Sequence, residues 1–128
     1  MIVRLWTTRV DEQRAHEYDA FAQAESLPMF KQQQGNVGVF FARDGERCAV
    51  ISLWDTPAAV KALASSATYR HVSRRIKATG FLVGDPAIET WSCAGGWLDA
   101  SVVDAFERAQ HDAGEGREPA EQTEAGGT

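Results

Sequence analysis

The stretch Cys48-Ala49-Val50-Ile51-Ser52-Leu53-Trp54-Asp55-Thr56-Pro57 limits the folds open to this chain more than any other. Six of its first seven residues are apolar, which suits a central strand covered on both faces. Thr56-Pro57 then offers an N-cap followed by proline at the first helical position, where a missing N–H costs nothing. The chain therefore turns from strand into helix at this corner, and Ala58-Ala59-Val60 opens the helix.

The flanking segments fall into place around it. Ile2–Thr8 is β-branched and aromatic and reads as a first strand. Asp11-Glu12 place acids in the first turn of a helix over about 11–26, with Ala15, Tyr18, Phe21 and Ala22 on one face and His16 on the far side. Pro28 is expected to break that helix, leaving Met29-Phe30 to fold back as an apolar lid. Gly35-Asn36 turns the chain into Val37–Phe41, and Asp44-Gly45 signals a hairpin into the strand that ends at Trp54. Beyond Pro57, Val60, Leu63, Ala64 and Ala67 share one face while Tyr69, Val72 and Ile76 share nearly the opposite one. One straight helix cannot bury both sets, so a break is expected at 65–68 with Thr68 as a candidate cap.

Residues 80–86 read as a loop and Ala87–Cys93 as a fourth strand. After Gly95-Gly96, Leu98, Val102, Ala105, Phe106 and Ala109 form the narrow stripe of an added amphipathic helix. The order strand, helix, strand, strand, helix, strand is α+β and ferredoxin-like, βαββαβ. In it the fourth strand pairs with the first and the first with the third. The division expected is a folded domain over 1–93, an amphipathic C-terminal helix over 94–111 that docks on folded protein, and a disordered acidic tail over 112–128.

Charge and cysteine usage exclude several functions. The net charge of −5 sits largely in the tail, where Asp112, Glu115, Glu118, Glu121 and Glu124 face only Arg117. The folded part is nearly neutral, which argues against nucleic acid as a partner. No apolar run approaches the roughly 20 residues of a membrane span, so a soluble, cytoplasmic protein is expected, with no membrane partner. Cys48 and Cys93 match no metal-ligand spacing, and no metal site is expected. Placed near one end of the sheet but two strands apart, at about 9.6 Å, they exceed the roughly 7 Å limit for a disulfide.

A closer resemblance is carried by Trp6, Gly35-Asn36-Val37-Gly38, Phe40-Phe41-Ala42-Arg43, the Leu53-Trp54-Asp55-Thr56-Pro57-Ala58-Ala59 core and Ser66-Ala67-Thr68-Tyr69. Together they resemble the antibiotic biosynthesis monooxygenase superfamily over residues 1–93. The resemblance implies a dimeric α/β barrel, a homodimer in which two four-stranded sheets pack face to face, with a pocket in each subunit between sheet and helices. Strand three agrees, since Ala49, Ile51 and Leu53 alternate with Val50 and Trp54 and one face must meet something apolar besides helices. With the dimer formed through strand faces, Trp54→Arg is expected to lower solubility or dissociate it.

Two activities of the superfamily can be compared residue by residue. The cofactor-free monooxygenases that oxidise polyketide phenols to quinones have a Trp at the place of Trp54, with an Asn and a Tyr where this chain has Val50 and Val60. The heme-degrading members have an Asn, a Trp and an axial His where this chain has Thr7, Leu63 and Ser73, with His71 two residues early. The first reading is thus a small monooxygenase acting on an aromatic substrate with no bound redox cofactor. Its candidate catalytic residues are Trp54, Tyr69 and His71, and its candidate substrate-binding residues Trp6, Phe30, Leu63 and Arg75. The alternatives are a heme-binding member with His71 as axial ligand, and a non-catalytic auxiliary dimer whose C-terminal helix docks a partner.

Overall fold

The computed structural model describes residues 1–117, with side chains described as far as Ala109. Two units divide at residue 93. In the first, β1 (Ile2–Val10), β2 (Asn36–Asp44), β3 (Arg47–Trp54) and β4 (Leu82–Ser92) form one sheet in the order β2-β3-β1-β4, every neighbouring pair antiparallel. The helices are α1 (Ala15–Phe21), α2 (Leu27–Lys31), α3 (Pro57–Leu63) and α4 (Ala67–Thr79). This is the ferredoxin-like βαββαβ arrangement, reached because the corner at Thr56 works as its residues suggest. The Thr56 hydroxyl accepts from the Ala59 N–H at 3.1 Å, and Pro57 follows in the first turn.

Strand three alternates strictly. Cys48, Val50, Ser52 and Trp54 are buried, while Ala49, Ile51 and Leu53 are half-buried. The buried set lies on the face that receives the helices. There Trp54 is fully buried, donates from Nε1 to Ser52 Oγ at 2.9 Å, and meets Phe30 edge-to-face at 6.4 Å. Trp54 is therefore a core residue of the subunit, and Trp54→Arg would unfold the subunit before it could act on a dimer. Directly opposite residues share a face, so the other side of the sheet carries Val3, Leu5, Phe40, Ala49, Ile51, Leu53 and Trp91. These are half-buried to exposed, and Trp91 is 59 % exposed.

Two core clusters fill the helix side. One joins Val10, Ala15, Tyr18, Phe21, Cys48, Ile76 and Phe81. The second joins Met29, Phe30, Val50, Trp54 and Leu63, with Trp6 and Tyr69 packed against it, and Val72 packs against both.

Several local expectations are corrected. Pro28 does not end the first helical region. A π turn over Ala22–Ser26, in which the Leu27 N–H reaches back to Ala22 O, delivers Pro28 into the first turn of α2, where no donor is needed. The break before α4 exists, but Ser66 is its cap, accepting from the Tyr69 N–H at 3.2 Å. Residues 82–86 belong to β4 rather than to a loop. Gly84, Asp85 and Pro86 stand opposite Thr8 alone, a bulge that an edge strand tolerates, with Gly84 at φ +80°.

Cys48 lies opposite Thr8 whereas Ser92 lies opposite Ile2. The two cysteines are thus at opposite ends of the sheet, about 20 Å apart along the strands, too far for a disulfide between them.

In the second unit, α5 runs Ala100–Arg117. Asp99 sets its start by accepting from the Ser101 N–H at 3.0 Å, so Leu98 precedes the helix instead of opening it. The backbone is helical to Arg117. The remainder of the expected tail lies outside the described residues. No helix among them is long and apolar enough to cross a membrane, and they hold no metal-binding cluster of His, Cys, Asp or Glu.

Candidate functional site

Where the two core clusters meet, the sheet and helices leave a cavity. It encloses about 50 Å³ and measures about 410 Å³ when counted out to its open mouth. Strand β1 supplies Arg4 and Trp6, β3 supplies Val50, the first helical region supplies Tyr18, Ser26, Met29 and Phe30, and α4 supplies Tyr69, Val72, Ser73 and Ile76. The π turn has a direct part in this. One residue more per turn carries the chain past Pro28 still helical, so that Ser26, Met29 and Phe30 all reach the same wall.

The walls are largely apolar, with one charged group among them. Arg4 is only 5 % exposed. Its Nη2 donates to the Tyr69 hydroxyl at 2.9 Å, and its guanidinium carbon stands 5.5 Å from the centre of the Tyr69 ring. Burial pushes the Tyr18 phenol well above its usual range, so that hydroxyl stays protonated at any physiological pH. Burial also raises the Cys48 thiol, which removes it as a thiolate nucleophile.

Of the residues expected at the site, Trp6, Phe30 and Tyr69 line the cavity together. Trp54 and Leu63 do not; they are buried in the cluster behind it, Trp54 backing the Phe30 ring. His71 and Arg75 are exposed on α4 and are not among the lining residues. Arg75 instead holds Glu25 by two hydrogen bonds, at 2.5 and 2.6 Å, tying α4 to the π turn. Heme is a poor fit to these residues: Ser73, at the axial position of the heme-degrading pattern, lines the cavity but offers no imidazole, and His71 faces solvent.

Arg4 was the residue not singled out from sequence. The signal was present, because Arg4 lies two residues before Trp6 in an alternating strand and so shares its face. Ser26 has no comparable sequence signal, since its place depends on the π turn, whereas Met29 and Val72 carry the apolar pattern of the elements they sit on.

The Glu25–Arg75 pair gives a pH prediction. The hydrogen bonds from Arg75 hold the Glu25 carboxyl below its ordinary 4.5. A depressed carboxylate stabilises the fold above its ordinary range, and that contribution is lost as pH falls through the folded-state value. Chemical denaturation of wild type and Glu25→Gln should therefore differ at pH 6 and converge on acidification from about pH 4.5 downward. A gap that stays constant down to pH 3 would exclude the pair as its source.

The sequence matches no protein-family model and no curated protein, but the fold has close counterparts among solved structures. A monooxygenase from the gene ActVA-Orf6 of Streptomyces coelicolor, in complex with nanaomycin D, superposes with a TM-score of 0.66 at 16 % identity over 77 % of this chain and 91 % of that one. SnoaB, a cofactor-independent oxygenase from Streptomyces nogalater, gives 0.60 at 13 % identity over 77 % and 97 %. A Bordetella bronchiseptica protein named for the antibiotic biosynthesis monooxygenases gives 0.64 at 17 % identity over 73 % and 97 %. With its sheet order, helix placement and cavity already described, this chain has the fold of the antibiotic biosynthesis monooxygenases.

Proposed function

We propose that the protein is a small monooxygenase that works as a homodimer and oxidises an aromatic, polyketide-like metabolite in the Arg4–Tyr69 cavity without a bound redox cofactor. The observation that carries this reading is the cavity: aromatic walls from Trp6, Phe30 and Tyr69 around a buried guanidinium, between sheet and helices. Two structures of the same fold support it, one named as a monooxygenase in complex with nanaomycin D, the other named as a cofactor-independent oxygenase.

Without an internal redox group, such chemistry needs an electron-rich substrate whose anion reacts with oxygen directly. The protein's part is to bind that substrate, remove water from it and hold its developing charge with fixed dipoles. Trp6 and Phe30 supply flat apolar surface for a ring, while Arg4 and the Tyr69 hydroxyl supply the polar end. Trp54 and Leu63 support the wall from behind. The enclosed part of the cavity is small, about 50 Å³, and opens to solvent, so a fused-ring ligand seats its oxygenated end inside and its remainder at the opening.

Oxygen uptake with 1,8-dihydroxyanthrone tests the reading. Uptake should saturate with substrate and accompany quinone formation, and Tyr69→Phe should lower kcat/KM by about tenfold or more. Uptake no faster than the uncatalysed rate with this and other electron-rich phenols would overturn it.

A further inference from the structure

We infer that the cavity is an anion site, and that Arg4 selects the ionised form of an aromatic oxyanion, a phenolate or aryl carboxylate, over its neutral counterpart. The inference names the substrate class for the site proposed above and rests on that reading for its link to oxidation. Its own basis is charge accounting around one side chain. Arg4 is 95 % removed from solvent, and no described carboxylate lies within ion-pair distance of it. Of the acids around it, Asp19 pairs with Arg43, Glu25 with Arg75, Glu17 with Arg14 and Glu46 with Arg9, while Glu89 on β4 stands opposite Leu5 on the other face of the sheet. A buried charge with no counter-ion is costly, and arginine cannot relieve the cost by losing its proton.

The hydrogen bonding has the same one-sidedness. A guanidinium carries five N–H donors, and the acceptor found for Arg4 is the Tyr69 hydroxyl. Because that hydroxyl accepts from Arg4, its own proton is free to be donated. Guanidinium and phenol together thus present donors at one end of a cavity whose remaining walls are mostly apolar and aromatic. A ligand oxyanion supplies the absent negative charge and accepts from both, while its ring lies against Trp6 and Phe30. A neutral ligand of the same shape leaves the Arg4 charge uncompensated.

The test uses the full chain and two naphthalene probes. The absorption of 2-naphthol reports its own ionisation; 2-methoxynaphthalene has nearly the same shape and cannot ionise. With excess wild-type protein the ionisation midpoint of 2-naphthol should fall by about one pH unit or more, and naphtholate should bind at least about tenfold tighter than 2-methoxynaphthalene. Arg4→Gln should abolish the midpoint shift while still binding 2-methoxynaphthalene, and Arg4→Lys should keep part of it. Equal affinity of wild type for the two probes overturns the inference even if Arg4→Gln does not fold, as does an unchanged midpoint shift in a folded Arg4→Gln. Oxygen uptake separates the two claims. A midpoint shift without uptake sinks the oxygenase reading alone; uptake without a midpoint shift sinks the anion site alone.

Discussion

Trp54→Ala should lower the stability of the subunit by about 3–5 kcal/mol, a large part of the roughly 5–15 kcal/mol that holds a domain of this size together. The indole is fully buried at the end of β3, opposite Ile2 on β1 and Asn36 on β2, with Phe30 against its face. Removing it leaves a void where these elements meet and costs Ser52, itself fully buried, the N–H it accepts from. Urea denaturation is the check: the midpoint should drop sharply while the slope stays near its wild-type value. Trp54→Phe should cost much less, because most of the volume remains. A Trp54→Ala variant as stable as wild type but unable to bind ligand would reverse the assignment and make Trp54 a site residue.

Ile51→Arg is expected to do the opposite: leave the subunit folded and break the assembly. Ile51 stands at the centre of the sheet face opposite the first unit's helices, across from Leu5 on β1 and Phe40 on β2, with Leu53 and Val3 beside it. These side chains are half-buried, and the helices of the same unit pack on the other face, so a charge here disturbs little of the core. Against a second sheet of the same kind the guanidinium would be desolvated without a partner, which a dimer cannot absorb. Sedimentation at micromolar concentration should show wild type as a dimer and Ile51→Arg as a monomer of unchanged helix and strand content. A monomeric wild type would remove the dimer from the account.

How far the sequence could be read follows from what each feature depends on. The corner at Trp54–Pro57, the β2–β3 hairpin and the kink before α4 rest on local rules of capping, turn chemistry and apolar period, and they were legible. The passage of Pro28 was not, because proline is read as a breaker unless the helix has already widened, and nothing local to Ala22–Ser26 announces a π turn. The same holds for Gly84-Asp85-Pro86, three loop-forming residues absorbed by an edge-strand bulge.

At the site, the aromatic members Trp6, Phe30 and Tyr69 were legible because a large ring on an amphipathic element faces inward. His71 rests on its nearness to the axial position of the heme-degrading pattern and Arg75 on its positive charge, but α4 turns about 100° per residue and carries both away from the cavity. Arg4 shows the reverse case. An arginine in a strand is ordinarily assigned to solvent, and only the burial of the face it shares with Trp6 makes it a candidate.

The claim on which the account depends is that the cavity over β1, and no other surface, receives the ligand. The most direct measurement is a crystal structure of the protein with 2-naphthol bound above the pH at which it ionises. The account predicts the naphthol oxygen within hydrogen-bond distance of both the Arg4 guanidinium and the Tyr69 hydroxyl, with the ring between Trp6 and Phe30. Naphthol bound on the Ile51 face or beside His71, with no density against Arg4, would contradict it.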